Sequence, residues 1–204
     1  MKAPQLIPSK TELPVAEIEA GTRLRPVSEA GVATIVASVR EVGQMTNPVV
    51  VRQMRRKGET IHVVVDGAHR LAAAGELGWD EVPVRVFECT DDQARIMEID
   101  ANLAGAELNP LDTAVFLASR KAVYEKMHPE TKAGVAGGLA RQGLASDMMS
   151  FADVTAEKFG MSKRHVERLV AAGTRLGPDE VAKLRAAPRQ VTLKDLQDIA
   201  KIKT

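Results

Sequence analysis

Hydrophobic positions in the first half of the chain follow a helical pattern and then short β-branched runs. Apolar side chains at helical spacing precede Gly43 and predict an amphipathic helix that ends at this glycine: Val32, Ile35, Val36 and Val39. Three later runs are short, rich in β-branched residues and bounded by proline, glycine or charge. They predict strands at 48–53, 61–65 and 83–87.

A second helix is predicted between the last two strands. Residues 69–77 are rich in alanine and leucine and end at Gly78, so that strand, helix and strand follow in order. The front of the chain is therefore predicted to be a compact α/β or α+β unit.

The remainder of the chain predicts helices. Asp91 is suited to cap one helix, and Asn109, with proline directly after it, is suited to cap the next. Thr192 and Asp195 form an imperfect capping box at the start of a short final helix.

Composition restricts the class of protein. Hydrophobic residues make up 45% and charged residues 27%, a balance typical of a soluble globular protein. No apolar run approaches the roughly 20 residues that span a bilayer, so we expect no membrane contact and a cytoplasmic location. A single cysteine and four histidines without ligand spacing predict neither a disulfide framework nor a structural metal.

The net charge of +1 conceals an asymmetry. Residues 1–149 hold 17 basic and 20 acidic side chains, whereas residues 150–204 hold 11 and 7. Neutralising phosphates requires local positive charge, so any contact with nucleic acid is expected in the C-terminal part.

Residues 151–170 carry the pattern of a helix-turn-helix. Such a motif needs a small residue where the helices meet, a turn residue that tolerates a left-handed conformation, and apolar residues that seal the pair. Ala156 and Gly160 fill the first two roles, and Ser162 is placed to cap the second helix. The sealing residues are Val154, Met161, Val166 and Leu169.

A charged face follows this cap. The outward N-terminal part of a second helix is where base edges and phosphates are contacted in such motifs. The alternative is an ordinary helical hairpin whose charged face is only solvated. The predicted DNA-contacting residues are Ser162, Lys163, Arg164, His165, Glu167 and Arg168.

A second candidate site is the turn from strand to helix within residues 63–74. Gly67 lets the backbone approach a ligand closely, and the N–H groups at a helix start favour an anion. Arg70, one turn into the helix, presents a planar fork of donors to a phosphate. In the purely structural alternative Asp66 is only the N-cap, Gly67 only the turn, and His69 a surface residue.

The order of these segments resembles the ParB partition proteins. PVAEIEAG, SVREVGQMTNPVVV, VVVDGAHRLAAAGELGWDEVPVRV and ANLAGAELNPLDTA, within residues 11–126, resemble their N-terminal domain. SFADVTAEKFGMSKRHVERLV resembles the helix-turn-helix that follows it, most closely in the phage- and plasmid-type branch. The resemblance implies an α+β fold, in which a small mixed-sheet domain of the ParB/sulfiredoxin type precedes an all-helical domain.

The resemblance also implies a nucleotide site. Family members bind CTP through a Gly-Glu-Arg-Arg motif, which falls here on Gly67, Ala68, His69 and Arg70, and a Glu-Asn-x-x-Arg motif, which falls on 101–105. The glycine, the last arginine and Asn102 are kept, but both glutamates, the first motif's first arginine and the second motif's arginine are absent.

We therefore expect a degenerate CTP site with weak or absent binding and no hydrolysis. Mg²⁺ would lack obvious carboxylate ligands there, although Asp66 and Asp100 lie next to the missing glutamates. The expected site residues are Asp66, Gly67, Ala68, His69, Arg70 and Asn102.

Two other functions stay open beside a DNA-binding role. One is a nucleotide-dependent enzyme of the same fold, such as a small-molecule kinase or a nuclease, and the other is an interaction module without either activity. Sulfiredoxin shares the fold and has a Gly-Cys-His-Arg motif, but its cysteine is Ala68 here and Cys89 has no obvious activating base.

The expected organisation is a ParB/sulfiredoxin-like domain at 11–106 and a helical DNA-binding domain at 107–204, with the helix-turn-helix at 151–172. About residues 128–149, four glycines among small and polar residues predict a flexible connection. The expected partners are double-stranded DNA, a second copy of the chain and the ATPase of a partition system, on a nucleoid or plasmid. ParB proteins usually carry a further C-terminal dimerisation domain, so the sequence is either that of a shortened relative or part of a longer protein.

Overall fold

The computed structural model describes residues 2–105, 108–131, 150–199 and 201–202, and over these residues the chain is α+β. The strands are β1 (Gln5–Leu6), β2 (Glu12–Pro14), β3 (Ile18–Glu19), β4 (Val49–Arg56), β5 (Glu59–Asp66) and β6 (Glu81–Glu88). The helices of the described part are α1 (Glu29–Val42), α2 (Ala68–Glu76), α3 (Asp91–Gly105), α4 (Pro110–Met127), α5 (Phe151–Phe159), α6 (Lys163–Gly173), α7 (Pro178–Arg185) and α8 (Leu193–Ile199).

One mixed sheet contains all the described strands. The order is β1-β6-β4-β5-β3, and β2 pairs with β6 as well. β4 and β5 form an antiparallel hairpin, and β6 runs parallel to β4. The end of β5 and the first half of β6 both lie beside the start of β4, so the connection through α2 leaves and re-enters the sheet at the same end. The mixed sheet that the family resemblance implies is therefore confirmed.

The three predicted strands are present and longer than predicted. β4 and β5 extend towards each other through pairs such as Arg55 with Thr60, and they meet at a tight turn in which Lys57 and Gly58 both have positive φ. Two positive φ values are typical of the hairpin turn whose twist matches the strands. The residues that extend β4 and β5 next to the turn are polar. They are held in the sheet by backbone hydrogen bonds, which the hydrophobic pattern of the sequence does not reveal.

Predicted helix ends are confirmed at α1 and α4 and corrected at α3. Gly43 ends α1 in a left-handed conformation with φ of 82°, and the side chain of Asn109 caps α4. At α3 the cap is Thr90, not Asp91, because the Thr90 hydroxyl accepts the N–H of Gln93 while the Gln93 side chain accepts the N–H of Thr90.

The chain divides into two compact units, residues 1–98 and 99–204. This division falls inside α3, whereas the boundary expected from the sequence follows that helix. In the front unit, valines of β4 and β6 are completely buried: Val49, Val51, Val82 and Val86. The described part contains no helix long and apolar enough to cross a membrane.

The second unit is helical, and α6 packs directly against α4. A Cβ placed on Gly173 would lie 2.1 Å from the carbonyl oxygen of Ala114, so only glycine permits this approach of the two backbones. The flexible connection predicted at about 128–149 begins with a 3-10 turn at Pro129–Thr131. Residues 132–149 lie outside the described residues.

Candidate functional site

Two helices joined by a short turn form the helix-turn-helix predicted at 151–172. α5 ends at Gly160, whose φ of 64° places it in the left-handed region as predicted. The hydroxyl of Ser162 accepts the N–H of His165 at 3.2 Å, so Ser162 caps α6. The turn residue and the cap are thus confirmed.

The apolar seal differs from the prediction at one position. Val166 and Leu169 are buried and Met161 packs beside them, but Val154 is only half-buried and stands outside the cluster that the described residues form. The inward positions of α5 are instead Phe151 and Thr155. The pattern was misleading because Thr155 is polar, yet its side chain is fully buried.

Thr155 is buried because it meets a buried arginine. Arg120 on α4 donates from Nη1 to the Thr155 hydroxyl at 2.9 Å and from Nε to Asp100 at 2.8 Å. Asp100 also accepts from Nζ of Lys158 at 2.5 Å. Pairing satisfies a guanidinium that burial would otherwise penalise heavily. This network ties α5 to α3 and α4, and it occupies the carboxylate that the sequence offered as a substitute metal ligand.

Five of the six predicted DNA-contacting residues lie in the first two turns of α6, and the sixth, Ser162, is its N-cap; all six are exposed. Lys163 is held by Asp153 at 2.9 Å, and this hydrogen bond raises the pKa of the lysine. The side chains of Arg164, His165 and Arg168 make no hydrogen bond or ion pair with any described residue. Their polar groups therefore face solvent.

The strand-to-helix turn brings five of the six predicted nucleotide-site residues together. Gly67, between β5 and α2, has a φ of 92° and is the N-cap of α2, so Asp66 is not the cap. Asp66 instead accepts from Nη2 of Arg70 at 2.8 Å. The guanidinium lies against Gly67, where a Cβ would be 2.6 Å from its Nε, and that buried Nε has no hydrogen-bond partner among the described residues.

His69 is not a simple surface residue. It is half-buried, and its Nε2 accepts the backbone N–H of Ser28 at 3.0 Å, where α1 starts. Burial, followed by the nearby charges of Arg25 and Arg23, lowers the pKa of His69. The imidazole therefore acts here as a neutral acceptor that fixes α1 beside the turn.

Sequence reasoning missed two cations close to this turn. Arg23 donates to the carbonyl of Val65 at 3.3 Å and lies 3.8 Å from the Glu98 carboxylate, while Arg25 is near enough to shift the pKa of His69. The basic run TRLR at residues 22–25 was the only sequence feature that could have indicated these cations. It lies before α1 in the chain, and only the tertiary fold brings it to the turn. The turn is thus more basic than its own sequence indicates.

The sixth predicted residue, Asn102, lies near the end of α3 and belongs to the helical unit. Cys89 is half-buried, and burial raises the pKa of its thiol, which opposes the thiolate that a cysteine nucleophile needs. Within the described residues no group of three His, Cys, Asp or Glu side chains is arranged to hold a metal ion.

Comparison with known families gives a match over the front of the chain. The family described as ParB N-terminal domain matches residues 4–103. A probable plasmid-partitioning protein ParB of Thermus thermophilus is 38% identical over 78 residues, which cover 38% of this chain and 25% of that protein. A probable chromosome-partitioning protein ParB of Pseudomonas putida is 29% identical over 115 residues, which cover 55% of this chain and 38% of that protein.

The chain therefore aligns with less than half the length of these curated relatives. Among solved structures, the C-terminally truncated chromosome-partitioning protein ParB of Caulobacter crescentus, complexed to the centromeric parS site, matches with a TM-score of 0.55. The identity is 21%, and the match covers 94% of this chain and 85% of that one. At this identity the likeness shows the fold.

Proposed function

Because the chain belongs to the ParB-like family through its ParB N-terminal domain at residues 4–103, we propose that it is a DNA-binding protein of the ParB type. Its helical unit binds a specific double-stranded site, and the front unit carries a degenerate nucleotide site. The role is partition of a plasmid or chromosome, or regulation of transcription at the same kind of site. A partition role brings in the ATPase of such a system as a further partner.

The observation that carries this proposal is the exposed, unpartnered basic face of α6. Among the described residues, carboxylates hold Arg120, Arg185 and Arg189 of the second unit. Arg164 and Arg168, by contrast, make no hydrogen bond or ion pair with any described residue. Free cations on the second helix of a helix-turn-helix are positioned for phosphates and base edges. A merely structural hairpin gives no reason for them to cluster on one face.

The test is selection of bound fragments from random double-stranded DNA, followed by binding titrations on the selected site. The double variant Arg164→Ala/Arg168→Ala is expected to lose about 1–3 kcal/mol for each contact that reads a base. Lys183→Ala/Lys194→Ala removes two exposed cations from the same unit and serves as the charge-matched control. Equal affinity and an equal salt slope for both double variants would place the DNA surface elsewhere.

We propose further that DNA is bound by two copies of the chain. One small helix-turn-helix gives limited contact, and symmetric half-sites are the usual way to increase it. The candidate interfaces are residues 110–126 and the front unit. Sedimentation of the complex on a palindromic site decides the matter, since a single protomer at saturation contradicts the dimer.

The front unit fits a phosphate group better than a metal-bound triphosphate. Gly67 opens the start of α2 to an anion, and Arg70 with the nearby Arg23 supplies positive charge. The carboxylate of Asp66, at the turn itself, is already engaged by Arg70. CTP supplies phosphates to this turn when it binds, but Mg²⁺ would find few free carboxylate oxygens.

Weak CTP binding without turnover is therefore expected, with Arg70 and Asn102 as the residues on which affinity depends. Calorimetric titration with CTP and ATP in the presence of Mg²⁺ measures it, and Arg70→Ala and Asn102→Ala are the variants. Tight binding that survives Arg70→Ala, or steady hydrolysis by the purified protein, contradicts this part of the proposal.

A further inference from the structure

The DNA-facing stripe of α6 contains one acid. Arg164, Glu167, Arg168 and Ala171 are spaced by three, one and three residues, so they lie on one helical face, and all four are exposed. The carboxylate of Glu167 makes no hydrogen bond or ion pair with any described residue. Its charge is near enough to Lys163 to affect that lysine's pKa, but Lys163 is already held by Asp153.

An unpaired carboxylate on a surface that approaches DNA opposes binding. It repels the phosphates that Arg164 and Arg168 attract, and it offsets part of the positive charge that drives counterion release. Glu167 also forms no ion pair with a described residue that would offset this repulsion with a gain in fold stability. A favourable role for Glu167 on this stripe therefore requires a hydrogen-bond donor on the DNA that offsets the repulsion between its carboxylate and the phosphates.

The major groove offers such a group on cytosine. A carboxylate only accepts hydrogen bonds, and the exocyclic amino groups of cytosine and adenine are the donors there. Adenine presents its N7 acceptor next to its amino group, which repels a carboxylate, whereas the amino group of cytosine has no acceptor beside it on the same base. Cytosine is the better match.

We propose that Glu167 is a specificity-determining residue, which accepts a hydrogen bond from the N4 amino group of one cytosine in each half-site. The inference rests on the proposed function, because it takes α6 as the helix that enters the major groove. Glu167 contributes discrimination more than affinity: on DNA without a cytosine at that position its charge stays unpaired and weakens the complex.

The experiment compares the DNA selected by the wild-type chain with that selected by Glu167→Ala and Glu167→Gln. Glu157→Ala, which removes an exposed acid from α5, is the matched control. The wild type and the control are expected to select a fixed cytosine. Glu167→Ala should lose about tenfold in discrimination at that base pair alone and bind mixed-sequence DNA more tightly. Glu167→Gln, whose amide both donates and accepts, should shift the preference to adenine.

The results separate this inference from the proposed function. If the wild type selects a site and both Glu167 variants select the same site, the role of Glu167 is overturned while DNA binding stands. Loss of affinity spread evenly over all sequences also overturns it, because that is the effect of a damaged helix. If the wild type retains no DNA, both fail together.

Discussion

Two places in the molecule have similar local sequence features and use them differently. At the turn of Gly67 and on α6 alike, a glycine in a left-handed conformation precedes a helix start with basic residues in its first turns. At the Gly67 turn these residues are engaged within the fold, since Arg70 pairs with Asp66 and His69 accepts from Ser28. On α6 Arg164 and Arg168 stay free of every described residue.

The difference shows that a basic residue after a glycine turn does not by itself indicate a binding surface. What matters is whether its charge is already neutralised in the folded chain, because a paired cation must lose its partner before it meets a phosphate. α6 is therefore the stronger candidate surface, and the Gly67 turn is a weaker site whose arginine is already held.

The largest effect on the free energy of unfolding is expected from Gly173→Ala. This variant tests whether the front unit with its Gly67 turn and the helical unit with α6 unfold independently. The new methyl group would meet the backbone of Ala114, so α6 must move from α4 at a cost of about 3 kcal/mol or more. Unfolding followed by Tyr124, the single tyrosine, should shift strongly, whereas unfolding followed by Trp79, the single tryptophan, should not. DNA affinity should also fall, because the destabilised helical unit carries the proposed DNA surface.

Gly75→Ala is the matched control for that variant. Gly75 lies within α2, its φ is not positive, and nothing stands within 4 Å of a Cβ there. Alanine should raise the free energy of unfolding of the front unit by up to about 1 kcal/mol. A parallel shift of the Tyr124 and Trp79 signals in either variant would mean that the two units unfold as one.

Two serine caps provide the next comparison. Ser162→Ala and Ser28→Ala each remove a hydroxyl that accepts a backbone N–H at a helix start, and each should cost about 1 kcal/mol of stability. Only Ser162→Ala should also weaken DNA binding in titrations at fixed salt. Equal DNA affinity of the two variants would argue that the start of α6 does not face DNA.

Asp66→Asn tests the engaged arginine directly. The amide cannot neutralise Arg70, so the guanidinium becomes available to a phosphate, and affinity for CTP should rise by up to about fivefold, the value of a partly exposed ion pair. Calorimetry on Asp66→Asn, Arg70→Ala and the double variant measures this. A fall in CTP affinity with Asp66→Asn would instead make Asp66 a ligand-contacting residue.

The helices and the inner parts of the strands could be predicted from the sequence, because caps, turn residues and hydrophobic spacing act within a few residues of where they occur. Caps such as Ser162 and Asn109 and the turn glycines Gly43 and Gly160 were found in this way, and the hydrophobic spacing gave the helices and inner strands. Long-range pairing was beyond such reasoning. Thr155 is buried because Arg120 comes from another helix, and Arg23 reaches the Gly67 turn from outside its own local sequence.

Prediction of the candidate sites divides in the same way. Ser162 and the five predicted residues of α6 are all exposed, because the outward face of a capped helix follows from its own sequence. The commitment of Arg70 to Asp66 was not foreseen, although the two are four residues apart, because the sequence did not show that the guanidinium folds back over Gly67. Whether a charged group is free is decided by its neighbours in space.

The smallest expected effect is a pH dependence confined to the front unit. Burial, with Arg25 and Arg23, lowers the pKa of His69 against the attraction of Asp66, so the unfolded chain binds this proton more readily than the folded one. The contribution of His69 to the free energy of unfolding is therefore fully present above the ordinary histidine pKa of about 6.5, and it is lost as the pH falls below that value. Protonation also removes the Nε2 acceptor for the N–H of Ser28.

Urea unfolding followed by Trp79 from about pH 8 to about pH 5 should thus show a falling free energy below that point. His69→Gln keeps an acceptor for Ser28 but does not titrate, so its profile should be flatter. Some slope should remain, because the pKa of the buried His62 is also lowered, by burial and by Lys10, against the opposing charge of Glu17. A profile unchanged by His69→Gln would mean that His69 holds α1 without titrating in this range.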